Sequence, residues 1–458
     1  MKKLLLFIVL FYFNLFAFTQ STYVPDDSFE QALIDLGLDT EPLDDFVPTA
    51  AIDTVTVLNL INLEIADLTG VSDFANLRVL ICLDNDLETL DISSNLLLES
   101  LNFSYNNISI LDISMNVNLV EIMASLNNLE TLDLAANLLL ETIEIDRNNF
   151  ENLDVTNNTQ LKRLRCGGNI LEELNVTENL ELELLDFKWN LLTEIDVTAN
   201  ESLTSLYMSG NPISVLDLTG NPNLNFLSCQ ENNLTNLDLS ENGLLEYISC
   251  KENMISALNV FNNPYLRTIE CAKNPIAVLD LTNNDSLRII SYFETNVTIM
   301  DFSHIPYLEE VLAADMPNLS ELNVANGNNS EIALFAAYNC PNLTCITLDE
   351  DYISTAEELT GFWTKDASTV YSVDCASLSI EESVKEITFY PSLFVNFIAI
   401  NSPISTGFSV FNLAGKTVCE GNVHNGENRV DLSPLESGIY LLHFNGERET
   451  QTYKIVKK

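Results

Sequence analysis

The sequence predicts a long parallel β-solenoid of 21-residue coils followed by a small antiparallel β-sandwich, and three registers carry that expectation. Asparagine recurs at Asn85, Asn106, Asn127, Asn148, Asn169, Asn190, Asn211, Asn232, Asn253 and Asn274, an unbroken spacing of 21 residues. A second series, Asn95, Asn116, Asn137, Asn158, Asn179, Asn200, Asn221, Asn242, Asn263 and Asn284, keeps step with it. Leucine holds the same period from Leu77 to Leu287. One period in three registers marks a stack of supersecondary units, and its loss around Ser377–Glu386 marks a second domain.

The amino-terminal end reads as a targeting segment. Met1, Lys2 and Lys3 precede an apolar run from Leu4 to about Phe18, too short for an ordinary spanning helix, and small residues near Ala17 and Thr19 place a signal-peptidase cut before Gln20. The expectation is therefore a signal peptide at 1–19, with no later transmembrane stretch. The 67 acidic and 20 basic side chains give a net charge of −47, which argues against nucleic acid as a partner and favours solubility of a long exposed surface. Of nine cysteines, Cys82, Cys166, Cys229, Cys250 and Cys271 share one apolar slot of the repeat and read as core thiols.

Within one unit, Leu203, Leu206, Met208, Asn211, Ile213, Leu216 and Leu218 fit the pattern LxxLxLxxNxLxxLxL. This resembles the bacterial, internalin-like branch of the leucine-rich-repeat family, whose fold is a parallel β-sheet horseshoe. The segment around Leu206 and Met208 supplies a strand, and Asp217 to Asn221 turns the chain back. A coil cannot stand alone. Its six or so apolar side chains contribute roughly 1.5–3 kcal/mol each, against roughly 1.5 kcal/mol per ordered residue, so stacking must supply the difference. The ladder asparagines are expected to be structural, each satisfying main-chain groups of its own and the next coil, at a cost of about 1–3 kcal/mol if lost.

The resemblance covers roughly Val55 to Leu348, with the repeats themselves at 55–343, and weakens at both ends. In the amino-terminal cap, 20–54, Asp26 or Asp27 caps a helix with Phe29, Leu33, Ile34 and Leu36 on its apolar face and Gly37 as its stop. The ladder fails at Thr295 and Met316, so irregular coils are expected from about 295 to 343. Segment 344–379 resembles the capping module that follows such repeats in secreted proteins. The resemblance implies a Cys345–Cys375 disulfide, with Cys340 as the competing partner.

From 384 to 458, strands are expected at Ile387–Phe389, Val395–Ile400, Phe408–Asn412, Arg429–Leu432, Ile439–Phe444 and Thr452–Val456, with turns at Ala414–Lys416 and Asn445–Gly446. The run from Phe408 to Lys416, the segment Val430-Asp-Leu-Ser-Pro-Leu-Glu-Ser-Gly-Ile-Tyr-Leu442 and the basic ending Lys454–Lys458 resemble the type A sorting domain of the type IX secretion system. One departure is Tyr390-Pro391-Ser392-Leu393, where that family opens with a Pro-Asn-Pro turn. The resemblance implies export through the type IX machinery to the cell surface or beyond, leaving a functional part of roughly 20–380.

Side chains flanking the strand leucines point out from the concave sheet. All ten Lys and Arg between Leu77 and Glu294 fall on those positions, beside thirteen acids, whereas turns and outer side carry acids alone. A basic focus of Arg147, Lys162, Arg163, Arg165 and Lys188 sits with Trp189 and Tyr207, residue types that dominate interface energetics. These seven are the candidate ligand-binding residues, for a protein or an acidic glycan. Cross-strand charge pairing explains the same clustering without any ligand, and a structural spacer or a glycan-capture component are the alternative functions. Three histidines, His304, His424 and His443, are scattered, and no nucleophile elbow, P-loop or zinc spacing occurs, so neither catalysis nor a cofactor or metal is expected. Asp349, Glu350 and Asp351 lack the spacing of a calcium loop and read as a solvated turn.

Overall fold

The computed structural model describes residues 20–359, 361–375, 388–390, 393–402, 405–445 and 450–458. The expected signal peptide, the domain change at 377–386, and Ile387, Pro391, Ser392 and Gly446 lie outside the described residues. The chain forms two compact units that divide between Cys375 and Ala376.

In the first unit each coil contributes a three-residue strand. In Ser205–Tyr207 the central Leu206 is buried, with Ser205 and Tyr207 half-buried on the sheet surface, and Met208 turns back into the core. Strands from Val57–Asn59 to Trp363–Lys365 form one parallel sheet, 15 strands among the described residues. From the Val79–Ser100 pairing to the Ile289–Glu310 pairing, each partner lies 21 residues on, so the sequence period is the sheet register. Behind the strands, Leu, Ile and Phe from every coil join a continuous core. The five slot cysteines are fully buried, Cys229, Cys250 and Cys271 in consecutive coils. Burial pushes the Cys82 and Cys250 thiols up to about 12, which leaves them inert.

The asparagine ladder reaches backwards. Asn190 Nδ2 donates to the carbonyl of Cys166 in the preceding coil at 3.0 Å and to Phe187 in its own at 2.9 Å, while Oδ1 accepts the Leu171 N–H at 3.0 Å. The connection is thus to the preceding coil rather than the next. In the second series Nδ2 also spans two coils, as from Asn200 to the carbonyls of Val176 (3.0 Å) and Asn179 (2.9 Å). The Oδ1 atoms of that series, by contrast, are buried with no hydrogen-bond partner.

The amino-terminal helix runs Asp27–Asp35, with Asp26 as its cap. Asp26 Oδ1 accepts the Phe29 N–H at 2.9 Å, and its Oδ2 accepts those of Ala66 and Asp67, so one carboxylate starts the helix and ties it to the first coil. Phe29 and Leu33 are buried, but Leu36, expected on the same face, is exposed because the helix ends before it. Gly70 is forced by contact: a Cβ there would stand 2.7 Å from the Tyr23 carbonyl oxygen.

Where the ladder fails, the coils lengthen. Glu310 pairs with Leu334 and Phe335 with Trp363; parallel strands outside the main sheet, which the sequence reading did not foresee, pair first as Leu258–Asn259 with Leu279–Asp280 in coils that keep the ladder and then as a sheet of Ile299–Asp301, Glu321–Asn323, Cys345–Thr347 and Val370–Ser372. Thr295 Oγ1 bonds the Tyr292 carbonyl at 2.8 Å, replacing one arm of the missing asparagine. Trp363 closes this end, its ring on Phe335 and its Nε1 donating to Ile332 at 3.1 Å. Cys345 and Cys375 form a disulfide, and Cys340 is a buried free thiol donating to the Ala313 carbonyl. The Asp349 carboxylate accepts the N–H groups of Gly327 and Asn329, which makes it a turn-former.

The second unit stacks two sheets. Thr388–Tyr390, Phe397–Ser402 and Gly426–Asp431 form one; the other runs in the order Leu393–Phe394, Thr450–Lys457, Gly438–Asn445, Thr406–Asn412, Thr417–Val423. Their shared core includes Ile398, Ile400, Phe408, Val410, Leu442 and Phe444. Thr417–Val423 was not foreseen, because as an edge strand it buries only Val423 and shows little apolar alternation.

Candidate concave docking site

The repeat places all seven predicted residues on or beside the concave sheet. Arg163 and Arg165 are the first and third residues of Arg163–Arg165, Lys162 precedes that strand, and Tyr207 ends Ser205–Tyr207. Arg147, Lys188 and Trp189 stand just after their strands. Trp189 is 51% exposed, and Arg147 and Arg163 are exposed too.

Most of the bases are engaged. Seven pairs join neighbouring coils: Arg78 with Glu99, Lys162 with Glu141 (2.8 Å), Arg165 with Glu144 (3.7 Å), Lys251 with Glu270 (2.9 Å), Arg267 with Glu246 (3.5 Å), Lys273 with Glu252 (2.7 Å) and Arg288 with Glu309. Lys188 Nζ lies 2.8 Å from the buried carboxylate of Asp186 and 5.9 Å from the Tyr207 ring centroid. Of the ten bases, only Arg147 and Arg163 make no ion pair among the described residues. Arg163 opens its strand, whereas Arg147 stands beyond the end of its own.

Backbone conformation singles out the same place. The residue before each ladder position is left-handed in thirteen coils: Asp84, Tyr105, Leu126, Arg147, Gly168, Trp189, Gly210, Glu231, Glu252, Lys273, Glu294, Asp315 and Asn339. Eleven of these are not glycine, so positive φ alone does not demand glycine here. Gly168 and Gly210 follow from space instead. A Cβ on Gly210 would stand 2.3 Å from Trp189 Cε3, and one on Gly168 would stand 3.1 Å from Arg147 Cγ. Each glycine lets the large side chain of the preceding coil in this column lie across it.

Arg147, Gly167, Gly168, Lys188 and Trp189 line one end of a slot of about 510 Å³ that extends across six coils to Leu83, with Asp146 beside Gly167 and with Asn102, Ser104 and Ser125 beyond Arg147 on its lining. Asp146 Oδ1 accepts the Gly167 N–H at 2.8 Å. Its carboxyl is held above the ordinary aspartate range, first by burial and then by nearby Asp186, against the pull of Lys188 and Arg165. Beyond Tyr207 the face continues as an aromatic run: Tyr207 and Phe226 are 4.7 Å apart, and Phe226 stacks on Tyr247 at 4.3 Å. Sequence reasoning passed over Phe226, Tyr247 and the slot-lining Tyr105, although their places in the 21-residue register put them on this face.

A larger recess of about 1340 Å³ is lined by Glu151, Asp154, Glu172, Glu173, Glu194 and Asp196. Its aspartates are turn-formers: Asp196 Oδ1 accepts the N–H and hydroxyl of Thr198 at 3.0 and 2.7 Å. Those bonds, and the matching pair from Thr156 to Asp154, hold the Asp196 and Asp154 carboxyls below their usual range.

Residues 388–458 match the family described as the secretion system C-terminal sorting domain. No curated protein sequence matches the chain. Among solved structures, the functional domain of InlJ from Listeria monocytogenes, which includes a cysteine ladder, is similar at a TM-score of 0.61 and 22% identity, covering 96% of this chain and 99% of that one. A leucine-rich-repeat protein of Leptospira interrogans is similar at 0.58 and 20%, covering 69% and 85%, and the internalin InlF of L. monocytogenes at 0.55 and 19%, covering 63% and 95%. At these identities the likeness establishes the fold. The chain is a leucine-rich-repeat solenoid joined to a type IX secretion C-terminal sorting domain, which marks it for the cell surface or the extracellular space.

Proposed function

We propose that the solenoid is an extracellular recognition or adhesion module that docks a macromolecule on its concave sheet, with Arg147, Lys162, Arg163, Arg165, Lys188, Trp189 and Tyr207 forming the contact area. The observation that supports this reading is the break in the charge ladder. Eight bases have an acid within ion-pair distance, whereas among the described residues the exposed Arg147 and Arg163 have none, and Arg147 shares a slot lining with half-exposed Trp189. Arginine and tryptophan are enriched where binding energy concentrates, and repeat solenoids offer such concave surfaces to partners. A structural spacer is the second reading, favoured by the pairing of the other bases, which accounts for their presence through sheet stability.

The test is binding of the full chain to a panel of extracellular-matrix proteins, cell surfaces and polysaccharides, beside an Arg147→Glu, Arg163→Glu double variant. Binding lost in an equally folded variant supports the concave site. Binding retained by the variant overturns it, and no binding by either form favours the spacer.

A further inference from the structure

Resting on the concave-docking reading, we infer that the end of this slot between the Arg147 guanidinium and the Trp189 indole is a saccharide subsite for a glycan residue bearing a single carboxylate, with Trp189 as stacking platform and Arg147 as the carboxylate's partner. The geometry of the two glycines carries the argument. Since eleven coils hold other residues in the left-handed position, glycine at 168 and 210 gives space, and what uses that space is the Arg147 stem and the Trp189 indole. An indole packed on Gly210 by one side, in a residue still 51% exposed, offers its other side as a flat apolar platform. The C–H groups on one face of a pyranose ring match such a platform, and its hydroxyls match polar groups between Arg147 and Trp189 such as the Asp146 carboxylate and the Lys188 ammonium on the slot lining.

Charge selects the kind of sugar. Arg147 makes no ion pair among the described residues, and a guanidinium is the side chain best shaped to take a carboxylate by two parallel hydrogen bonds. The other cations at the site are engaged by Glu141, Glu144 and Asp186, except Arg163. A polyanion fits poorly, because the chain carries −47 and Glu144 and Asp146 also line the slot. One carboxylate per bound unit satisfies Arg147 without adding repulsion along the sheet. Arg147 and Trp189 are two coils apart, about 10 Å at the usual strand spacing, and the Arg147 stem passes beside Gly168 in between, which is the reach of one sugar residue with its acid group.

The experiment is a fluorescence titration of the full chain, in which Trp189 is the exposed tryptophan and Trp363 is buried at 3% exposure. The probes are sialyllactose and a glucuronate-capped trisaccharide, each with one carboxylate, then lactose, polygalacturonate and a glutamate-rich peptide. The expected result is a saturable change with a singly carboxylated sugar, weakened about tenfold or more by Trp189→Ala and by Arg147→Gln, with lactose and polygalacturonate weaker. Gly210→Ala, which displaces the indole, should also weaken it, and retained circular dichroism in Arg147→Gln guards against misfolding. The inference is overturned if no sugar alters the signal, if binding is indifferent to Arg147 and Trp189, or if the peptide or polygalacturonate binds more tightly than both single-carboxylate sugars. Should sugars fail while a macromolecule from the panel still depends on Arg147 and Arg163, the docking reading stands and the saccharide subsite falls.

Discussion

Asn211 holds Leu192, one coil earlier, by accepting its N–H on Oδ1 at 3.1 Å, while Nδ2 donates to the carbonyls of Phe187 at 3.2 Å and Met208 at 3.0 Å. Asn200, in the second series, donates to two carbonyls but accepts nothing on its buried Oδ1. Truncating Asn211 strands the buried Leu192 N–H, while the carbonyls of Phe187 and Met208 keep Asn190 and Asn232 as donors; truncating Asn200 strands no such group, since the carbonyls of Val176 and Asn179 keep the N–H groups of Asn179 and Leu182, and it removes an unpaired oxygen. Asn211→Ala is expected to cost about 1–3 kcal/mol per stranded group, and Asn200→Ala less. Urea unfolding of the two variants decides it, and an equal or larger loss for Asn200→Ala counts against this account of the two ladders.

The Lys162–Glu141 pair is solvent-exposed, so its coupling should be small. A double-mutant cycle with Lys162→Ala and Glu141→Ala is expected to give about 0.2–1 kcal/mol. Arg163→Glu, with no pair to break, should leave stability within about 0.5 kcal/mol of the parent. A large loss from Arg163→Glu would show that the arginine serves the fold.

Asp146 predicts a pH effect of definite sign. Its carboxyl pKa is raised in the folded state by burial and by Asp186, so the native form binds its proton more readily than the unfolded chain does. The penalty is absent below the unfolded value of 3.8, grows as pH rises from there through the folded value, and is complete above it. Asp146→Asn keeps an oxygen to accept the Gly167 N–H and should melt at a higher temperature than the parent at pH 7, the difference shrinking as pH falls through the aspartate range. A variant that melts lower at pH 7 would mean that the ionised carboxylate is needed by Lys188 and Arg165.

In the sorting domain, Lys457 is nearly buried, and its Nζ donates to the carbonyls of Leu432 at 3.0 Å and Ser433 at 2.7 Å and also to that of Leu435. The basic ending is therefore in part a clasp on the turn after Gly426–Asp431. Lys457→Met should destabilise this domain by about 1–3 kcal/mol and lower the exported fraction, measured by comparing cell-associated and released chain. Unchanged export together with unchanged stability would refute the clasp.

The Cys345–Cys375 bond spans 30 residues of chain. Replacing both cysteines by serine should cost about 3 kcal/mol, first seen as faster proteolysis within 345–375, with the coils before Leu287 still protected. Uniform loss of protection along the solenoid would show instead that this cap governs the whole stack.

The 21-residue period determined the coil, the sheet register and the face on which Arg163, Arg165 and Tyr207 lie, because a parallel stack turns sequence spacing directly into spatial neighbours. It also marked Cys229, Cys250 and Cys271 as core, since an apolar slot repeats with the leucines. Which bases are spoken for was decided by tertiary structure: whether Lys162 meets Glu141 while Arg163 meets no acid depends on side-chain direction across coils, which composition does not contain. The use of Gly168 and Gly210 belongs to the same class. The sequence shows two glycines in a column of larger residues, and only the packing of Arg147 and Trp189 against them shows that the absence of a Cβ is what shapes the slot. The parallel strands outside the main sheet, Leu258–Asn259 with Leu279–Asp280 in regular coils and then Ile299–Asp301 to Val370–Ser372 in the longer ones, likewise depend on how neighbouring coils pack and not on any local signal.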